Sequence, residues 1–303
     1  MGKVMVLGSI NMDLVTTTHR MPKIGETITG KTFKQVGGGK GANQACAIAR
    51  LECPVSLAGC VGNDVFGKTL VNSLDNDGVD ISKIKFIDKV STGVATVLVD
   101  DSGDNCIVVI SGANYCIEES DIKDIIEEKA YDVALAQLEV EMNLVEKFLI
   151  ESKRNGKYTI LNPAPAKKLS QELINNVDLL IPNETELEIL TDIKINNFDD
   201  VIRGSKMLLE QGVVEVIVTL GDKGCVYVNN KKIKQYNAYK VNALDTTAAG
   251  DSFIGAIAVG KAQGMDIDEA IQTATKVSAI TVTRSGAQSS IPTKKEVEEF
   301  EFK

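Results

Sequence analysis

The middle of the chain alternates continuous apolar runs with amphipathic stretches, and few folds accommodate that rhythm. Four runs stand out: DVALAQL (132–138), YTILNP (158–163), VDLLIPN (177–183) and VEVIVTLG (214–221). Each has the length of a strand and lacks the polar alternation of a half-exposed one, so both of its faces must be covered. The first three lead into helical patterns, as at 142–154. This order predicts an α/β fold, with a central, mostly parallel sheet flanked by helices. Ligands in such sheets bind beyond the carboxyl ends of the strands. Those ends carry Gln137, Glu139, Asn162, Asn183, Glu186, Thr219 and Gly221.

Two other stretches have a different texture. After a short apolar strand at 3–8, residues 13–36 change to brief polar–apolar alternations broken by Met21-Pro22, Gly25 and Gly30. Residues 91–112 read as a hairpin turning at Asp101-Ser102-Gly103-Asp104. Together they predict a small β-sheet set apart from the main body, of the kind that serves as a lid or an interface. The expected division is a core of 1–12, 37–90 and 113–303 and a lid of 13–36 and 91–112. The last third is helical, with Ile267, Ala270, Ile271, Ala274 and Val277 on one face.

Charge and composition remove whole classes of function. The 303 residues carry a net charge of −9 without a basic block, which argues against nucleic acid or an acidic membrane surface as partner. The N-terminal apolar run meets Asp13 too early for a signal peptide, and no run approaches the roughly 18 residues of a membrane span. Six scattered cysteines without metal-ligand spacing fit a reducing compartment, so a cytoplasmic protein is expected. The only histidine is His19, which we read as a surface residue. A Ser-His-Asp or Cys-His mechanism therefore has little material, and a carboxylate is the expected general base.

Three glycine-bearing segments could hold an anion. Residues 62–69 formally match a P-loop ending in Lys68-Thr69, but Asp64 would face the phosphates and Val65 and Phe66 would crowd the wrap. The plainer reading is that Asp64 caps a helix with Phe66, Leu70, Val71 and Leu74 facing the core. The run Gly37-Gly38-Gly39-Lys40-Gly41-Ala42-Asn43 places a cation and an amide in a glycine turn before an Ala-rich helix, and suits a ligand loop better than a plain turn. In Asp245-Thr-Thr-Ala-Ala-Gly-Asp251, small residues let helix-start N–H groups approach an anion with a carboxylate beside it. An acidic residue in a first helical turn is also an ordinary capping device, so Asp251 alone does not decide the matter.

The full set of motifs does decide it. GSINMDLV (8–15), GGGKGANQA (37–45), QLE (137–139), NPAP (162–165), NETE (183–186), TLGDKG (219–224), DTTAAGDSF (245–253) and TRSGAQSS (283–290) occur in this order and spacing. The chain thus resembles the ribokinase family of carbohydrate kinases from end to end. That resemblance implies a ribokinase-like α/β sandwich with a β lid that often forms a dimer contact, and transfer of phosphate from ATP to a small sugar. It implies that Asn11, Asp13, Gly38, Gly39, Lys40, Asn43 and Glu139 bind the sugar, and that Asp251 is the base toward its 5-hydroxyl. Ala248, Ala249 and Gly250 match the anion hole. Asn183 and Glu186 match the pair that organises Mg²⁺ and phosphate through water. Thr219, Gly221, Gly224 and Gly250 fall on the nucleotide side, with Thr275 near the adenine. Asp245, Thr247, Thr281, Arg284, Gly286 and Ser290 fall where the family holds a monovalent cation such as K⁺.

Within that family the acceptor is expected to be D-ribose, because Asn11 occupies the position that reaches the 2- and 3-hydroxyl side. A site built to hydrogen-bond a hydroxyl rejects an analogue lacking it. Deoxyribose, another sugar or a nucleoside is the alternative acceptor. The rival classes are a P-loop NTPase using Lys68 and a non-catalytic sugar-binding regulator.

Overall fold

The structure, a computed structural model, describes residues 2–128 and 130–301. Strand β1 (Val4–Leu7) shows how the central sheet is anchored. Val4 and Val6 enter one buried cluster, Met5 and Leu7 another, so period-two side chains serve two cores. The chain continues through β2 (Asn11–Thr17), β3 (Thr32–Gly38), α1 (Lys40–Arg50), β4 (Val55–Gly62), α2 (Val65–Asn76), β5 (Asp80–Ile87), β6 (Gly93–Val99) and β7 (Asn105–Ile110). It then alternates α3 (Glu119–Glu128), β8 (Val133–Ala136), α4 (Met142–Arg154), β9 (Tyr158–Leu161), α5 (Gln171–Ile174), β10 (Leu179–Leu180), α6 (Glu184–Thr191), α7 (Phe198–Gln211) and β11 (Glu215–Thr219). The end comprises β12 (Cys225–Asn229), β13 (Ile233–Tyr236), α8 (Ala249–Ala262), α9 (Ile267–Thr281) and α10 (Lys294–Glu299).

Nine strands form the main sheet in the order β13-β12-β11-β10-β9-β8-β1-β4-β5, parallel from β11 to β5 and antiparallel at β12 and β13. One face is covered by α1, α2, α8 and α9, the other by α3 to α7. All four apolar runs supply strands of this sheet. The antiparallel pair at its edge was not legible, because CVYVN and IKQY are short and only partly apolar. The four remaining strands form a separate sheet, β3-β2-β6-β7, with β2 and β6 parallel and both outer pairs antiparallel. Its root is tied to the core by buried Asn11 and Met12.

The formal P-loop match is a capped helix start. Asp64 Oδ1 accepts the Gly67 N–H at 2.8 Å and Oδ2 accepts the Thr92 N–H at 2.8 Å. Leu70, Val71 and Leu74 are buried in the core while Lys68 points to solvent. Among the described residues no helix is long and apolar enough to cross a membrane.

Candidate active site

The site is assembled where the carboxyl ends of the parallel strands meet the N-termini of α1 and α8. Helix α1 begins after Gly39, whose φ of 88° is open to glycine. A Cβ there would sit 2.8 Å from both the Asn11 N and the Ser9 O, so only glycine lets the loop pass so close to the end of β1. This passage brings Lys40 and Asn43 to the main sheet. The Lys40 N–H donates to Glu139 Oε2 at 3.1 Å, and the Ser9 hydroxyl donates to the same oxygen. The Lys40 ammonium is held above its ordinary pKa, chiefly by Asp251 and further by Glu139 and Glu186, against the opposing effect of burial.

Asp251 lies in the first turn of α8 and is buried. Asn43 Nδ2 donates to its Oδ2 at 2.9 Å, and Gln44 Nε2 donates to its Oδ1 at 2.9 Å. Gln44 also reaches Asn162 Oδ1 at 3.2 Å and accepts from Gln137 Nε2 at 2.5 Å. Four buried side chains therefore fix one carboxylate in place. Asp13 lies near the root of the second sheet. Burial first, then Glu139 and Asp251, raise its pKa from 3.8 to about 7.

A cavity of about 240 Å³ opens on the far side of Asp251, lined by Lys40, Asn183, Glu186, Thr219, Gly250 and Asp251 among others. Ala248, at a φ of 60°, turns the chain into α8. The N–H groups of Gly250 and Asp251 find no acceptor among the described residues, as expected of a first helical turn. A Cβ placed on Gly250 would meet nothing within 4 Å, so the cleft reaches the backbone itself. Those groups, the helix dipole and Lys40 are suited to receive an anion. Asn183 and Glu186 form a reciprocal cap at the start of α6, with bonds of 2.9 and 2.7 Å. Burial raises the pKa of Glu186, with the Asn183 N–H and Lys40 opposing and Asp251 adding to it.

A second cavity, of about 480 Å³, shares Thr219, Thr246 and Gly250 with the first and continues past Gly221, Gly224 and Thr275. The two cavities thus adjoin at Thr219, Thr246 and Gly250, with Lys40 and Asp251 in the wall of the first. The six candidates for a monovalent cation line neither cavity. Asp245 ties two of their segments together, accepting the Thr247 N–H and the Gly286 N–H at 2.9 Å each. Thr281 uses its hydroxyl on Val277 O and Ser252 Oγ, Ser290 on Ala287 O, and Arg284 pairs with Glu296 at 2.9 Å. Side chains from most of this set are thus engaged in the fold, which leaves backbone carbonyls as the available ligands.

Three residues of the assembly were not singled out from the sequence. Ser9 positions Glu139, Gln44 positions Asp251, and Asn114 holds Asn11. The only signal was polarity in an apolar setting, as with Gln44 among the alanines of α1.

A sequence model of the pfkB family carbohydrate kinases matches residues 1–294. The ribokinase of Haemophilus influenzae is 41% identical over 297 residues, covering 97% of each chain. The deoxyribokinase of Salmonella typhi is 36% identical over 299 residues, covering 98% of each. The structure of Arabidopsis thaliana ribokinase complexed with ribose and ATP superposes with a TM-score of 0.92 at 31% identity, covering 99% of each chain.

Proposed function

The chain belongs to the pfkB family of carbohydrate kinases, and on that premise we infer that it transfers the γ-phosphoryl group of ATP to the 5-hydroxyl of D-ribose. The products are ribose 5-phosphate and ADP. The observation that carries this reading is Asp251, bonded to Asn43 and close enough to Asp13 to raise its pKa, lining a cavity with unpartnered helix N–H groups.

In the reaction, Asp251 accepts the proton of the 5-hydroxyl as the oxygen bonds to the γ-phosphorus and the bond to the β–γ bridging oxygen breaks. The transition state is loose and spreads negative charge over three oxygens, so positioning and electrostatics dominate. The N–H groups of Gly250 and Asp251 receive that charge, and Lys40 neutralises it. Asp13, Glu139 and Asn43 orient the sugar together with Gly38 and Gly39. The larger cavity takes the nucleoside, with Thr275 beside the base. Glu186 and Asn183 fit Mg²⁺, which prefers one or two carboxylates together with phosphate oxygens and water; the ion would offset phosphate charge. Asp245 with the carbonyls around Thr247, Thr281, Arg284, Gly286 and Ser290 would hold K⁺, stabilising the entry to α8. The second sheet acts as a lid that excludes water from the sugar and pairs with a second copy to form a homodimer.

Asn11 favours ribose over deoxyribose, the sugar in the name of two relatives. The test is D-ribose-dependent ADP release with Mg²⁺ and K⁺, for wild type and Asp251→Asn. Loss of a general base is expected to lower kcat by about 10²–10⁴-fold while ribose binding persists. Ribose binding without ADP release in the wild type would leave a non-catalytic sugar-binding regulator.

A further inference from the structure

Asn11 lies opposite Gly93 in the parallel pairing of β2 with β6, and its side chain is buried. The orientation of its amide is fixed by a chain of contacts that begins at an unambiguous donor. The backbone N–H of Ile10 donates to Asn114 Oδ1 at 2.8 Å. A backbone N–H can only donate, so the oxygen of Asn114 must face Ile10 and its nitrogen must face the other way. That nitrogen donates to Ile10 O at 3.3 Å and to Asn11 Oδ1 at 2.7 Å. An amide nitrogen cannot accept, so Asn11 presents its oxygen to Asn114. Its own Nδ2 is then directed away, and among the described residues it makes no hydrogen bond.

Asn114 is held firmly enough to impose this choice. It is 1% exposed, in the turn Gly112–Cys116 that follows β7. Its N–H donates to Ser111 O at 3.1 Å, and the neighbouring Ala113 N–H to Ser91 O at 2.8 Å. Space for the pair exists because residue 93 is glycine. A Cβ there would fall 2.2 Å from Asn11 Oδ1 and 2.3 Å from Asn114 Nδ2.

We propose that Asn114 is a positioning residue for acceptor choice: it locks the Asn11 amide with its NH₂ toward the sugar, as a donor to a secondary hydroxyl oxygen. The proposal rests on the ribose reading and deepens it. An acceptor without that oxygen leaves the donor unpaired once the sugar covers it, the circumstance in which discrimination is strong.

The test compares kcat/KM for D-ribose and 2-deoxy-D-ribose in wild type, Asn114→Asp, Asn11→Ala and the double variant. A carboxylate at 114 still accepts from Ile10 but cannot donate to Asn11, so the amide turns its oxygen to the sugar. The ribose-to-deoxyribose ratio is expected to fall about tenfold in Asn114→Asp. In the Asn11→Ala background the same change should leave the ratio where Asn11→Ala put it. A purely structural role would lower both sugars alike, and a ratio within about twofold of wild type overturns the proposal. A neutron structure of the wild type, which tells nitrogen from oxygen, decides the amide orientation even where Asn114→Asp fails to fold. Asn11 Nδ2 facing Asn114 there would overturn it too. Absent ribose turnover in the wild type would sink the functional reading, while the neutron density still judges the lock.

Discussion

Asp13 is a carboxyl group that its surroundings hold near neutrality, and this has a measurable effect on folding. Unfolded, it ionises near 3.8; folded, burial together with Glu139 and Asp251 moves it to about 7. Between those values the native protein keeps a proton that the unfolded chain has released. Stability from this group is therefore full below the unfolded value and declines as pH rises through about 7. Asparagine carries no charge at any of these pH values. Asp13→Asn should melt with the wild type near pH 4 and above it near pH 8. The full shift would correspond to about 4 kcal/mol at 1.36 kcal/mol per unit. Solvent screening and relaxation reduce this to about 1 kcal/mol, or roughly 2–4 °C in a chain of this size. Thermal melts across that range check it, and an equal or lower midpoint for the variant near pH 8 would show the site tolerates the charge. The same variant should lose ribose affinity, since a carboxylate acceptor becomes a weaker one. A position can thus cost stability while serving binding.

In the proposed reaction helix α8 concentrates the chemistry at its first turn, and Gly250 isolates that contribution from the fold. A Cβ at residue 250 meets nothing within 4 Å and would project into the cavity beside Asp251. Alanine is the better helix former by roughly 0.5–1 kcal/mol. Gly250→Ala should therefore keep or raise the thermal midpoint while lowering kcat by at least about tenfold, because the methyl occupies space the transferring group needs. Unchanged kcat would mean that the phosphoryl group passes elsewhere. What could be read from sequence follows the same local logic. The small residues of DTTAAGDSF mark a helix start with open N–H groups, and the two-face apolar runs mark strands of a parallel sheet. The partners that aim the site could not be read. Gln44 reaches Asp251 across 207 residues, Ser9 reaches Glu139 across 130, and Asn114 reaches Asn11 across 103. A lone polar residue in an apolar context shows that it has a partner, but only the fold names which.

At the scale of the whole molecule, the second sheet leaves a surface that a single copy cannot explain. Strand β7 pairs only with β6, and its run Ile107, Val108, Val109 and Ile110 is 50–58% exposed. Alternation puts Ile107 and Val109 on one face and Val108 and Ile110 on the other, so apolar side chains emerge from both. Phe33, on the opposite edge strand β3, is 58% exposed as well. A long apolar edge facing water invites further pairing or aggregation unless it is charged, bulged or covered, and this edge has no lysine or proline within β7. A second copy of the chain is the cover we propose. The protein should then scatter light at twice the 32.6 kDa chain mass, and Ile107→Lys combined with Val108→Lys, which charges both faces, should return it to that of one chain. If the pairing also steadies the lid over the sugar, KM for ribose should rise in the variant more than kcat falls, because the proposed function puts the chemistry on α8 and closure on the sheet. Wild type at the mass of one chain would mean that the apolar strand is exposed in solution, and the steadying of the lid would have to come from the sugar alone.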